Sequence, residues 1–396
     1  MIKRVRGRNN APASTDGDYL VDAAQREQAA DRRAAANASQ WRLVWRRFRK
    51  HKLAMVSAAF LLLVYLIALF ADFVAPFATG DYDVDYTYAP PQPLRVIERT
   101  DDGSMRWNPY VAGYDREMDP ISLRYTYHVD ESVRHELTLF ARGEPYTLLG
   151  LFETDIRLIG PKDPDAPMYL LGADRQGRDI LSRVIHGTRV SMSVGLVGVA
   201  LSFVIGVTLG GISGYFGGGI DSFVQRLVEV LVAIPAIPLW MGLSAALPRS
   251  WSSLQVYFAI TVILSLVGWT ALGREVRGRF FSLREEDFVT AARLDGAKER
   301  RIIFRHMMPS MMSHLVATVT LAIPTMIIAE TSLSFLGLGL QPPIVSWGVL
   351  LQEAQNVRTI ATAPWLLIVP ATACVTCVLA LNFLGDGLRD AADPYS

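Results

Sequence analysis

The sequence predicts an all-α polytopic membrane protein: a six-span bundle carrying a small, partly β extracytoplasmic insertion. Three observations lead there. Of the 396 residues, 51% are apolar and only 19% charged. The apolar residues gather into stretches of about 20 with almost no charge, the length a helix needs to cross ~30 Å of hydrocarbon. Lysine and arginine crowd some span ends and are sparse at others, as membrane orientation requires. The net charge of +1 says nothing about partners; the position of the charges says more.

The expected spans are 53–75, 189–212, 225–247, 254–272, 311–332 and 364–384. The third contains Pro235 and Pro238 and the fifth Pro324, so kinks are expected there. Arg42, Arg46, Arg47, Arg49, Lys50 and Lys52 precede the first span. Arg274, Arg277, Arg279, Arg284, Arg293, Lys298, Arg300, Arg301 and Arg305 lie between the fourth and fifth. The loops after the third and fifth offer only Arg249 and Arg358. Both termini and the 273–310 loop are therefore expected in the cytoplasm, in agreement with six crossings.

Residues 1–40 are polar and Ala/Arg-rich, lack the apolar core of a signal peptide, and read as a disordered cytoplasmic tail. Trp41, Val44, Trp45 and Phe48 recur at helical spacing, so an interfacial helix leads into the first span across 41–75. Residues 76–170 form the insertion. Leu123, Tyr125, Tyr127 and Val129 alternate as in a strand, and Glu136–Ala141 and Tyr146–Phe152 suggest two strands joined around Gly143 and Pro145. His128 and His135 stand near Asp130 and Glu131, yet nothing fixes them on one face, so they read as surface histidines. Gly206, Gly210 and Gly214 repeat every four residues and make one face of the second span smooth enough for a close helix neighbour. Cys374 and Cys377 share a face of the sixth span with no His beside them and read as small packing residues. Residues 385–396 are expected to be a cytoplasmic C-terminal tail.

The segment FFSLREEDFVTAARLDGAKERRIIFRHMMPSMM carries the most information. Ser282 and Glu285 have the spacing of a capping box. A short helix follows, with Phe288, Ala291, Ala292 and Asp295 on one side; the alanines leave a low-relief surface that a protein partner can approach. Gly296 lets the chain turn out. A second, basic helix, Lys298–His306, leads to Pro309 and the fifth span. Two short helices meeting at a glycine are a lever for force, or else a solvated basic loop; spacing alone does not separate the two.

This loop, 282–309, resembles the EAA loop of binding-protein-dependent ABC importers, E-A-A-x3-G-x9-I-x-L-P. The chain has Thr290-Ala291-Ala292, then Gly296, then His306-Met307-Met308-Pro309. Three further stretches resemble the C-type permease of the dipeptide, oligopeptide and nickel branch: LGADRQGRDILSRVIHGTRVS (171–191), SLSFLGLGLQPPIVSWGVLL (332–351) and LNFLGDGLRDAADP (381–394). The resemblance spans about 170–394 and implies a five-span permease core, 171–384, behind the first span.

It also implies roles. Ala291, Ala292, Asp295, Gly296, Arg305, His306 and Pro309 become candidates for coupling to an ATPase. Glu330, an ionisable group near the outer end of the fifth span, becomes a candidate for the solute path. The implied partners are a second permease, cytoplasmic ATP-binding subunits, an extracytoplasmic solute-binding protein and membrane lipid, with no nucleic acid. The implied solutes are peptides, with oligosaccharides and nickel as alternatives within the branch. No G-x-x-x-x-G-K-[ST] loop is present, so ATP hydrolysis is expected in separate subunits. No catalytic residue, cofactor or metal site is expected. Asp174 and Asp179 lack the spacing of an EF-hand and read as part of a structured turn, followed by a short interfacial helix. A secondary transporter would show internal repeats and paired intramembrane charges. A membrane enzyme would show a His/Asp/Glu cluster. Neither pattern is evident.

Overall fold

The computed structural model describes residues 40–99, 105–118, 120, 125–248 and 250–392. Residues 1–39 of the expected N-terminal tail, 393–396 of the expected C-terminal tail, Leu123 and Arg249 fall outside them. Helix α1 (Gln40–Phe48) precedes α2 (Lys52–Leu69), the first span, and the short α3 (Ala71–Val74). His51 starts α2, its Nδ1 accepting the Ala54 N–H at 3.2 Å. Phe48 is buried against Ala54 and Ala391, so the amphipathic helix docks on the far end of the chain while Trp45 stays exposed.

Among the described residues five helices are long and apolar enough to cross a membrane, or up to six if one bent pair counts as a span. Besides α2 they are α4 (Ile180–Phe216), α7 (Ser253–Leu283), α9 (Met308–Phe335; apolar over His314–Phe335) and α12 (Trp365–Ala392). The bent pair is α5 (Gly218–Ala233) and α6 (Ala236–Ala245), which meet at 86°. The expected third span breaks here for a local reason. Pro235 has no N–H to donate, and it pushes Ile234 into an extended conformation, φ −89° and ψ 127°. Pro324, by contrast, sits within an unbroken α9.

Helices α4 and α7 outrun the bilayer. Their 37 and 31 residues extend about 55 and 46 Å, against ~30 Å of hydrocarbon. The interfacial helix expected before the second span is instead the first turns of α4. Asp179 starts it, accepting the Ser182 N–H at 2.7 Å, and Gly217 ends it at φ +67°. A full capping box of Ser252 and Gln255 starts α7. The two helices cross on the glycine stripe. A Cβ on Gly206 would stand 3.1 Å from the Trp269 carbonyl, and one on Gly214 2.6 Å from that of Arg277. The four-residue repeat thus sets the central helix pair of the bundle.

The helices α10 (Trp347–Glu353) and α11 (Val357–Thr362) fold over one end. Cys374 and Cys377 are buried among Leu61, Val64, Met192 and Ile327, joining α12 to α2, α4 and α9. Residues 385–392, expected as a tail, continue α12. Small Gly387 lets that helix lie directly on the Ala54 methyl.

The insertion is an antiparallel sheet in sequential order: β1 (Leu94–Arg99), β2 (Met105–Met118), β3 (Tyr125–Leu148) and β4 (Phe152–Pro161). The two strands expected around Gly143 and Pro145 are one strand, β3, with an irregularity between Arg142 and Tyr146; the hairpin turn falls later, at Leu149 and Gly150. Val111, Leu137 and Met168 form a small core under the sheet, and Tyr86, Tyr114, Tyr127 and Tyr169 a second. Buried Gln92 ties the two sides, donating to the Ala112 carbonyl at 2.8 Å and accepting the Tyr169 N–H at 2.6 Å. Arg157, also buried, donates to the Asp72 and Ala75 carbonyls at 3.3 and 3.2 Å, fixing β4 to the end of α3.

Candidate functional site

Between α7 and α9 the chain builds a compact projection. Helix α8 (Asp287–Leu294) follows α7 after a turn, and Glu286 precedes it without a side-chain cap. The expected cap, Ser282, lies inside the last turn of α7, because that helix runs further than its apolar stretch. Asp287 in the first turn favours the positive end of the α8 dipole. Two inward residues three apart, Val289 and Ala292, bury against Phe280, Ile302 and Met307. Burying Val289 alone contributes about 1.5 kcal/mol.

A Schellman motif ends α8. Gly296, at φ +73°, donates to the Arg293 carbonyl and Ala297 to that of Ala292, both at 3.0 Å. A Cβ on Gly296 would touch nothing, so this glycine is needed for its backbone angle and not for space. The expected second helix is one α turn, Glu299–Arg301, followed by a π-helical stretch, Ile302–Met307, that runs straight into α9. Pro309 has no N–H for the Arg305 carbonyl, and the wider turn carries the chain past it.

The projection does not present the expected surface. Ala292 faces inward, while Ala291 and Asp295 are exposed. The outward face of α8 also carries Thr290 and Leu294, the latter 84% exposed. Arg305 and Pro309 are exposed and His306 half-buried. The sequence signals Leu294 only as an apolar residue one turn beyond Thr290 and Ala291.

Polar ties flank the projection. His314 of α9 pairs with Glu275 of α7, which also accepts from Thr318 Oγ1 at 3.1 Å. Arg277 of α7 binds Asp221 of α5 through both its Nε and Nη2, and Ser213 of α4 donates to the same carboxylate at 2.5 Å. These ties join the helices on either side of α8 to one another and to the bent pair.

At the other end of the bundle a charged cluster locks the turn before α4. Asp174 is wholly buried; Arg178 and Arg183 reach it at 2.6 and 2.5 Å. Arg183 also grips Glu353 of α10 with both nitrogens, at 2.8 and 2.9 Å. Asp179 beside it is buried, and that burial pushes its carboxyl up to about 6. The expected structured turn is present, and Glu353, 170 residues from Arg183, is its unforeseen partner. Glu330, the candidate for the solute path, is fully buried within this chain. It accepts from Ser334 and Ser346 at 2.8 Å and Ser191 at 3.4 Å, pinning the 336–346 loop to α9 and α4. Among the described residues no cluster of three or more His, Cys, Asp or Glu is arranged to hold a metal.

Comparison with known proteins places this architecture. Residues 206–395 match the family model described as binding-protein-dependent transport system inner membrane component. Residues 39–91 match the N-terminal TM domain of oligopeptide transport permease C. Glutathione transport system permease protein GsiD of Pectobacterium atrosepticum is 39% identical over 63% of this chain and 79% of that protein. Dipeptide transport system permease protein DppC of Alkalihalophilus pseudofirmus is 38% identical over 60% and 74%. Oligopeptide transport system permease protein OppC of Bacillus subtilis is 35% identical over 60% and 75%. An inward-facing structure of the MetNI methionine ABC transporter aligns at 19% identity and a TM-score of 0.43, over 52% of this chain and 95% of that one. Family model and relatives agree: the chain belongs to the binding-protein-dependent transport permeases, as a multi-pass inner-membrane component.

Proposed function

We propose that this chain is one permease half of an ATP-driven importer, and that it moves peptides or a related small solute delivered by a binding protein. The relatives named for dipeptide, oligopeptide and glutathione transport support the solute class. ATP is hydrolysed by separate cytoplasmic subunits, and the translocation path forms against a second permease. The basic residues around α1 and between α7 and α9 support cytoplasmic termini, with the insertion on the opposite side.

One observation carries the coupling assignment: α8 is held by two small or medium inward side chains, and its other face is bare. A helix seated this way transmits motion along α7 and α9, because those helices are long, unbroken and tied to each other at Glu275 and His314. The exposed residues Ala291 and Leu294 meet the ATPase; Ala292 and Gly296 set the angle of the helix that presents them. Glu330 acts as a structural clamp rather than as a wall of the solute path. The sheet forms a platform at the entry side, where a docked binding protein arrives.

The test is Ala291→Arg, which places a long charged side chain on the bare face without touching the packed one. Uptake in whole cells is expected to fall at least tenfold, with loss of ATP-binding subunits from the purified assembly. Normal uptake with normal ATPase recovery would remove α8 from the interface.

A further inference from the structure

The β3–β4 hairpin ends in an uncharged run, Tyr146-Thr147-Leu148-Leu149-Gly150-Leu151-Phe152, with Glu144 and Glu153 on its flanks. A hairpin tip in water is normally polar; this one exposes 73% of Leu151 and 67% of Phe152. The tip also sits beside the membrane-spanning helices. Thr147, Leu149 and Gly150 line one groove of about 440 Å³ together with Tyr65 and Leu69 of α2 and Leu196 of α4.

That neighbourhood fixes the depth. The 18 residues of α2 cover about 27 Å, close to the hydrocarbon thickness, so the edge of the hydrocarbon lies near Leu69. The Arg189–Asp72 ion pair, at 2.7 Å, marks the polar side of that edge. Leu196 lies two turns beyond Arg189 toward the bilayer centre. A tip sharing a groove with these residues reaches the boundary between headgroups and acyl chains.

We propose that the β3–β4 hairpin is a membrane anchor whose apolar tip inserts into the lipid interface beside the first span. The occupant of its exposed face is phospholipid. Leu62, Leu63, Leu66 and Leu69 of α2 form an exposed apolar surface continuous with the groove, and a span offers such a surface to lipid. The backbone limits the depth. The tip turn satisfies itself through Leu151 N–H to Leu148 O at 3.0 Å, and β3 pairs with β4 at Leu148 and Phe152. Among the described residues β2 accompanies β3 only as far as Glu136, so both edges of the tip hairpin are open. Open strand edges are not stable in hydrocarbon, which places the tip at the interface and not across it. The sheet is thereby held at two points: Arg157 on the end of α3, and the tip in lipid.

The test uses the full transporter in phosphatidylcholine/phosphatidylglycerol liposomes. The two native cysteines of this chain are buried, so this chain is labelled with a thiol-reactive bimane as the Leu151→Cys variant before assembly and reports that site alone. Phospholipid carrying a nitroxide at acyl carbon 5 is expected to quench it at least twofold more than a bimane on Met118→Cys, on β2 opposite Tyr125 at the far end of the sheet, and more than nitroxide at carbon 12 does. Phe152→Cys repeats the measurement at the neighbouring residue. Equal quenching at Leu151 and Met118 would overturn the proposal, as would a Leu151 thiol shielded from both lipid and label by a protein partner.

Discussion

The turn before α4 and helix α8, at opposite ends of the bundle, are seated by different chemistry. At the sheet end Asp174, Arg178, Arg183 and Glu353 make a buried charged network between the turn before α4 and helix α10. At the loop end α8 rests on Val289 and Ala292, and its other face is bare. A buried ion pair has one good geometry, and sliding it by an ångström leaves a desolvated charge without a partner. An apolar joint of a valine and an alanine has many near-equivalent positions, because dispersion contacts are individually weak and non-directional. The comparison separates a fixed end from a movable one, and coupling to an energy source belongs at the movable end.

Removing one arginine from the charged network undoes the fixed end. Arg183→Met leaves Asp174 buried beside a single remaining arginine and is expected to cost about 3–5 kcal/mol, read as a fall in thermal midpoint of the detergent-purified protein. Adding Asp174→Asn should recover part of that loss. If Arg183→Met is no worse than a loop substitution, the two ends do not differ in kind.

Next comes overpacking of the movable end. Ala292→Leu forces a larger side chain against Phe280 and Ile302 and is expected to cost about 1–3 kcal/mol, local to the loop. Hydrogen exchange should quicken across 287–307 and stay unchanged in α4 and α12. Exchange quickening throughout the bundle would show that the loop is not a separate joint.

A pH test sharpens the fixed end. The folded Asp179 carboxyl, raised to about 6, binds its proton more tightly than an unfolded aspartate near 3.9. The unfolded chain therefore ionises first, and the contribution of Asp179 to stability is complete below about pH 4 and lost as pH rises through about 6. Asp179→Asn keeps a capping acceptor and cannot ionise. The wild type is expected to lose about 2 kcal/mol more than this variant between pH 4.5 and 7. Parallel melting curves at the two pH values would contradict it.

The smallest effect concerns Gly296. Valine there is expected to cost about 1 kcal/mol, for the left-handed backbone alone, and asparagine a few tenths. Equal, large costs for both would mean that the space beside Gly296 is filled in the assembly.

Much of this architecture was legible in the sequence, and the reasons for the exceptions are physical. Long apolar stretches reported the spans, and the Gly206-Gly210-Gly214 repeat reported a close helix contact, because both are periodic signals within one segment. The overruns of α4 and α7 were hidden, since a helix continues past the bilayer in polar residues that hydropathy reads as loop. The same overrun puts Ser282 inside a helix, although its spacing from Glu285 is that of a cap. The 86° bend was half visible: the proline showed, but how far the chain turns depends on its neighbours. On α8 the alanines were found but their directions were not, because Ala291 and Ala292 point 100° apart and only the docked helix says which faces in. Glu353 and the buried state of Glu330 depend on contacts far apart in sequence, which no local pattern encodes.

The proposed contact between the bare face of α8 and the ATPase is probed at Leu294. Leu294→Cys adds one accessible thiol to a chain whose own cysteines are buried. In the assembled transporter a short bifunctional maleimide is expected to link it to an ATP-binding subunit, with a yield that changes on adding ATP, while the free thiol resists a water-soluble maleimide. A Leu294 thiol that labels fully in the assembly and links to nothing would contradict the account.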